Sequence, residues 1–197
     1  MQFLLFFAIG YFVLYAVVWL HEIGHSVFDY RFGAKDNWLR VQVKPYIFFS
    51  TPGPVDIEVW KKWTDAQHVL DAYGGILFNL LFAALAGVVL WCVPVGNLYL
   101  SLALWLFLTL HIAEIVSYLF IGSLYLVSDM QIVHQHMPRL RIPNIVAGLA
   151  AAALYIRLLF TVPKEFQLFV VIWNGVTVLS MCLGRIIFSI RAERRKK

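Results

Sequence analysis

VVWLHEIGHSVF, residues 17–28, places two histidines and a glutamate in a run that is otherwise apolar enough for a lipid bilayer. An ionisable side chain at the centre of a bilayer costs at least about 2.5 kcal/mol. Such a side chain therefore usually faces a protein interior and carries a function. The stretch predicts a membrane helix with a polar site near one end.

The composition of the whole chain agrees with a membrane location. Hydrophobic residues make up 61% of the 197 residues, and the mean hydropathy is +0.78, whereas soluble domains are roughly half apolar. Continuous apolar runs of about 20 residues lack the alternation of a membrane barrel, so each run predicts a spanning helix. We therefore predict an all-α polytopic membrane protein with about five transmembrane helices, near residues 3–28, 69–93, 98–122, 143–162 and 166–190.

The distribution of lysine and arginine predicts the orientation of the chain. Six of these residues lie in segment 29–68, two lie just before the fourth span, and five lie in the carboxyl-terminal tail. By the positive-inside rule, these segments are cytoplasmic and the amino terminus is outside. The net charge of +5 then reflects topology and attraction to anionic lipid, and we do not expect nucleic acid as a partner.

The motif His21-Glu22-x-x-His25 indicates a metal site. Two histidines four residues apart lie on one face of a helix and can share one metal ion. In this arrangement the histidines bind zinc, and the adjacent glutamate activates a water molecule for hydrolysis. The alternative is a pair of histidines that only pack between helices.

A catalytic zinc site needs a third protein ligand. At about 1.5 Å per residue, His21 lies about 27 Å into span one, and Glu114 lies about 24 Å into span three. Asp129 would lie about 46 Å along an unbroken third helix, beyond the hydrocarbon core. Depth alone favours Glu114, and Asp129 can serve only if the helix breaks, for which Gly122 and Ser123 are suitable. His111, one turn before Glu114, is a further possible ligand or its polar neighbour.

Three landmarks in this order resemble the site-2 protease family of intramembrane metalloproteases. They are HEIGH near the cytoplasmic end of span one, GGILFN at the start of span two, and an aspartate after span three. The third landmark departs from the asparagine-proline and aspartate-glycine pattern usual in that family, since Ile121, Leu124 and Met130 stand at the corresponding places.

The resemblance implies a three-helix catalytic core that cleaves a transmembrane protein substrate. It implies one zinc ion per chain, held by His21, His25 and Asp129, with Glu22 as general base. Asn79 of GGILFN would orient the substrate or stabilise an oxyanion. The core would comprise residues 1–137 with a polar loop at 29–68, and residues 138–197 would add two spans and a basic cytoplasmic tail.

The polar loop contains a possible β-strand. Apolar and polar residues alternate in LRVQVK, residues 39–44, which is the two-residue period of a strand. Pro52, Gly53 and Pro54 would end it. A strand beside a protease site could pair with an unwound substrate, although an ordinary cytoplasmic hairpin at the lipid surface explains the pattern as well.

Other functions use the same residue types. A membrane metal-ion transporter or a catalytically inactive scaffold would retain buried acids and histidines, but neither requires Glu22 beside the first ligand. A di-iron hydroxylase needs more ligands than six scattered histidines supply. His134 and His136 could form a second metal site or simply be solvated. The small residues of GLAAAAL, 148–154, could support a homo-oligomer or internal packing.

Overall fold

The structure is a computed structural model that describes residues 2–47 and 50–194. Five of its helices are long and apolar enough to cross a membrane, which confirms the predicted number of spans. Residues 195–197 of the predicted basic tail lie outside the described residues, and the orientation of the chain stays a prediction. The five segments are Gln2–Arg31, Asp65–Cys92, Leu98–Tyr125, Pro138–Thr161 and Lys164–Gly184.

The chain forms two compact units, Met1–His111 and Ile112–Lys197. In the first unit, helix α1 (Gln2–Arg31) is joined by a polar connection and the short helix α2 (Ile57–Trp60) to helix α3 (Asp65–Cys92). Helix α4 (Leu98–Val116) follows α3, and its last five residues belong to the second unit. The predicted functional boundary at residue 137 stays a prediction.

Glycines allow α1 and α3 to approach closely. A Cβ atom on Gly74 would lie 2.6 Å from the carbonyl oxygen of Gly24, and one on Gly24 would overlap the Gly74 carbonyl group. A Cβ atom on Gly75 would overlap the imidazole of His21. The adjacent glycines of GGILFN therefore allow the two backbones to lie in contact beside the histidine motif.

The predicted strand is not present among the described residues. The connection contains one isolated antiparallel bridge, between Gln42 and Thr51, with N···O distances of 3.0 and 3.1 Å. Pro52, Gly53 and Pro54 follow the bridge directly, and such turn-forming residues do not continue a ladder. The connection instead runs back along α1, where the hydroxyl of Tyr11 donates to the Pro45 carbonyl oxygen at 2.6 Å.

The third span is interrupted within the second unit. A π-helical segment, Ser117–Gly122, leads into helix α5 (Ser123–Tyr125). The chain then takes positive φ values at Leu126 and Ser128, 54° and 56°, before helix α6 (Asp129–His136). The predicted break is confirmed, but it lies three residues beyond Ser123.

Two further helices complete the second unit, α7 (Arg141–Thr161) and α8 (Lys164–Arg194). Gly148 of α7 packs on the π-helical segment, because a Cβ atom there would lie 2.5 Å from the backbone nitrogen of Phe120. The first residue of GLAAAAL thus serves internal packing, as one of the two interpretations of that run predicts. An oligomer stays a prediction.

Candidate metal centre

His21 and His25 face each other within α1, as their spacing predicts. The two Nε2 atoms are 3.1 Å apart, and the ring centroids are 4.8 Å apart with an angle of 73° between the planes. The residues are only 2% and 6% exposed. The histidine pair is therefore a buried, convergent pair of nitrogen donors.

The geometry of this pair suits zinc. Two nitrogen ligands at the usual zinc distance of about 2.0–2.1 Å, separated by a tetrahedral angle, are roughly 3.3 Å apart. The observed separation of 3.1 Å is close to that value. Small adjustments of the two rings would place both lone pairs on one ion.

His25 is oriented by the backbone of α3. Its Nδ1 lies 2.7 Å from the carbonyl oxygen of Asp71 and 3.9 Å from one oxygen of the Asp71 side chain. A carbonyl oxygen only accepts hydrogen bonds, so Nδ1 carries the hydrogen and Nε2 offers its lone pair toward His21. This arrangement is typical of histidines that bind metals through Nε2.

His21 is held by a side chain from α3. The Nδ2 atom of Asn79 lies 3.0 Å from the Nδ1 of His21, and the Oδ1 atom of Asn79 lies 2.9 Å from the Nδ1 of His111. Asn79 and His111 are fully buried. Asn79 therefore lies at the site, as predicted, but its amide already contacts two histidines. Its predicted contact with the substrate or an oxyanion stays a prediction.

A line of polar side chains continues from Glu22 along α1. Glu22, Ser26 and Asp29 follow at intervals of four and three residues, which places them along one side of the helix. All three are buried, and Ser26 Oγ and Asp29 Oδ2 have no hydrogen-bond partner among the described residues. The Lys35 ammonium group lies beyond them and donates to the Pro52 carbonyl oxygen.

Lys35 links this line to the polar connection. Burial lowers the pKa of Lys35 below its usual range, while the nearby carboxylates of Asp29 and Glu22 oppose that shift. Lys35 also lines a pocket of about 410 Å³ formed by residues of the connection. Arg40 and Asp56 line the same pocket, so charged groups surround the end of the polar line.

The two candidates for the third ligand belong to the second unit. Asp129 is half-buried and is the first residue of α6, where the helix dipole favours a carboxylate. Glu114 is buried, at 4% exposure, near the end of α4. The depth calculated for an unbroken third helix excludes Asp129 as a ligand. That calculation does not apply, because the helix ends at Tyr125 and a new helix begins at Asp129.

Sequence reasoning missed several residues around the histidines. The Asp71 carbonyl group carries no sequence signal, since any residue could supply it. The sequence associates His111 with Glu114, one turn later on the same helix. In the structure, the Nδ1 atom of His111 on α4 instead contacts Asn79 on α3. The approach of α1 to α3 could have been inferred from Gly24 and the GG pair, because small residues mark close helix contacts in membranes.

No family model matches the chain, and no curated protein or solved structure gives a significant match. The resemblance to site-2 proteases therefore depends on the three sequence landmarks alone.

Proposed function

We propose that the protein is an intramembrane zinc endopeptidase that cleaves transmembrane protein substrates. The observation that carries the proposal is the 3.1 Å separation of the His21 and His25 Nε2 atoms, with Glu22 next to His21 in a helix of membrane-spanning length. Burying three ionisable groups in such a helix is costly, and a hydrolytic site provides a reason for that cost.

Asp129 is the third ligand in this proposal. Two histidines with one carboxylate are a usual ligand set for catalytic zinc. The break before α6 supports this choice over Glu114, since irregular backbone at membrane depth is tolerated where it lines a functional cavity.

Bound zinc would polarise the scissile carbonyl group and the attacking water. Glu22 would remove a proton from that water, which forms the new carbon–oxygen bond, and would then deliver the proton to the departing amine nitrogen as the carbon–nitrogen bond breaks. Ser26 and Asp29 support a water route to Glu22, because buried polar atoms without protein partners are usually satisfied by water.

The Glu22→Gln substitution separates an endopeptidase from a transporter or an inactive scaffold. The amide keeps the size of the side chain but cannot accept the proton, so we expect cleavage to fall at least about 100-fold while one zinc ion per chain remains bound. The assay uses fluorescent proteins with single transmembrane segments, reconstituted with the enzyme in phosphatidylcholine vesicles.

The control is Glu58→Gln, which changes an exposed carboxylate that pairs with Lys61. It should keep both cleavage and zinc. Full cleavage by the Glu22→Gln protein would contradict the proposal, and zinc transport into vesicles by that variant without cleavage would favour a transporter.

The third ligand is tested by zinc content. We expect Asp129→Ala to lower bound zinc well below one ion per chain, as measured by atomic emission on purified protein, and Glu114→Ala to retain it. The reverse result would assign the third ligand to Glu114.

A further inference from the structure

Four hydrogen bonds connect His111, Asn79, His21, His25 and the Asp71 carbonyl group into one chain. The separations of the donor and acceptor atoms are 2.9 Å, 3.0 Å, 3.1 Å and 2.7 Å in that order. A neutral imidazole carries one hydrogen and one lone pair on its two nitrogens. Fixing the direction of one bond therefore fixes the direction of its neighbours.

In the first direction, each group donates its hydrogen to the next group along the chain, from His111 toward Asp71. His111 Nδ1 donates to Asn79 Oδ1, and Asn79 Nδ2 donates to His21 Nδ1. His21 must then carry its hydrogen on Nε2 and donate it to His25 Nε2. A hydrogen lies between the two histidines in this direction, so the His21 nitrogen cannot bind a metal ion.

The second direction is obtained when the Asn79 amide turns over by about 180°, which exchanges its nitrogen and oxygen without moving its neighbours. Oδ1 then accepts a hydrogen bond from His21 Nδ1, and His21 Nε2 is left with a lone pair. The amide nitrogen now donates to His111 Nδ1, so His111 must carry its hydrogen on Nε2.

We infer that His111 is a positioning residue for the zinc site proposed above: through Asn79 it sets which nitrogen of His21 is free, and zinc binding reverses the hydrogen-bond chain. This inference rests on the proposed zinc site. His111 is not a ligand and touches no reacting atom. It exchanges the hydrogen between its two nitrogens while its net charge stays the same.

The surroundings of His111 fit such a role. Its ring stacks on Phe82, with centroids 5.8 Å apart and planes at 18°, and packs edge-to-face with Phe107, with centroids 4.4 Å apart. Its Nε2 is buried without a hydrogen-bond partner among the described residues. The aromatic rings fix the plane of the imidazole, so Nδ1 stays on Asn79 whichever nitrogen carries the hydrogen.

The first test measures zinc affinity by competition with a chelating dye on purified protein. His111→Phe removes the acceptor for the turned amide, and we expect affinity to fall about 10- to 100-fold, as for other groups that orient metal ligands. The matched control is Phe107→Leu, which loosens the packing around His111 but keeps the hydrogen bonds of Asn79 to His111 and to His21. It should change affinity less than threefold.

Substitutions of Asn79 test the direction of the chain. A carboxylate only accepts hydrogen bonds, so Asn79→Asp favours the second direction without help from His111, and zinc affinity should be at least that of the wild type. Asn79→Leu should lose affinity about as much as His111→Phe. In the Asn79→Asp background, adding His111→Phe should cost less than it does alone. Equal losses in Asn79→Asp and Asn79→Leu would overturn the inference.

The second test reads the hydrogen position directly. Nitrogen-15 magnetic resonance of histidine-labelled protein in bilayers distinguishes the two neutral forms, and the His111 signals are assigned by their loss in His111→Gln. We expect the hydrogen to move from Nδ1 to Nε2 when zinc is added. A His111 form that does not change on zinc binding would overturn the inference.

These tests remain separate from that of the proposed function. Tight zinc binding with the expected shift at His111, but no proteolysis, would support the hydrogen-bond chain and refute the endopeptidase. Normal zinc affinity and proteolysis in His111→Phe would refute the positioning role of His111 and support the endopeptidase.

Discussion

His21 can lie against α3 because residue 75 has no side chain. A Cβ atom there would overlap the imidazole ring, and Asn79, one turn further along α3, lies within hydrogen-bond distance of the same ring. The position of His21 thus depends on the absence of a side chain at residue 75 as well as on a hydrogen bond.

This dependence predicts the effect of Gly75→Ala. Alanine should displace His21 and lower zinc affinity at least about tenfold, because metal sites tolerate only small errors in ligand position. The measurement is zinc competition by purified protein. The control is Gly87→Ala on the same helix, where the added Cβ would meet only the end of the Trp91 side chain, at 3.3 Å. Unchanged affinity in Gly75→Ala would show that the ring has room to move.

At the scale of elements, the break in the third span is stabilised by the helix that follows it. Arg141 at the start of α7 donates to the carbonyl oxygens of Ser123 and Leu124, at 3.1 Å each. These carbonyl groups lie at the end of α5, where the helix stops and they have lost their usual partners. Arg141 therefore satisfies the end of the span that leads to Asp129.

We expect Arg141→Met to destabilise the protein by about 1–2 kcal/mol, since two charge-assisted hydrogen bonds are lost at a partly exposed position. Thermal unfolding in detergent measures this effect. Arg139→Met, two residues earlier at an exposed position, is the matched control and should change stability little. If both variants unfold at the same temperature as the wild type, Arg141 does not stabilise the break.

At the scale of the whole molecule, zinc should stabilise the folded protein. A ligand that binds only the folded state at 100 times its dissociation constant adds about 2.7 kcal/mol. We therefore expect the unfolding temperature to rise with zinc in the wild type and in Glu22→Gln, and to stay unchanged in His21→Ala. A zinc effect of equal size in His21→Ala would place the binding site elsewhere.

The orientation in the membrane is also testable on the whole chain. In a variant without Cys92 and Cys182, a cysteine introduced at Asn37 should react with an impermeant thiol reagent only from the cytoplasmic side. One introduced at Gly96 should react only from the outside. Both positions are exposed. The opposite pattern would reverse the predicted topology.

The sequence alone was sufficient to predict five apolar helices of membrane-spanning length and the pairing of His21 with His25. These features depend on local periodicity and on the requirement that backbone groups in a bilayer be hydrogen-bonded within one helix. It also predicted the interruption of the third span, within a few residues, because a glycine and a serine interrupt the apolar run there.

The contacts that orient the two histidines could not be predicted from the sequence. The Asp71 carbonyl contact and the Asn79 bridge to His111 each join residues that are far apart in the chain. A carbonyl group is the same for every residue, and an asparagine has no preferred partner until two helices bring one within about 3 Å. Such contacts follow from helix packing, which local sequence patterns do not specify.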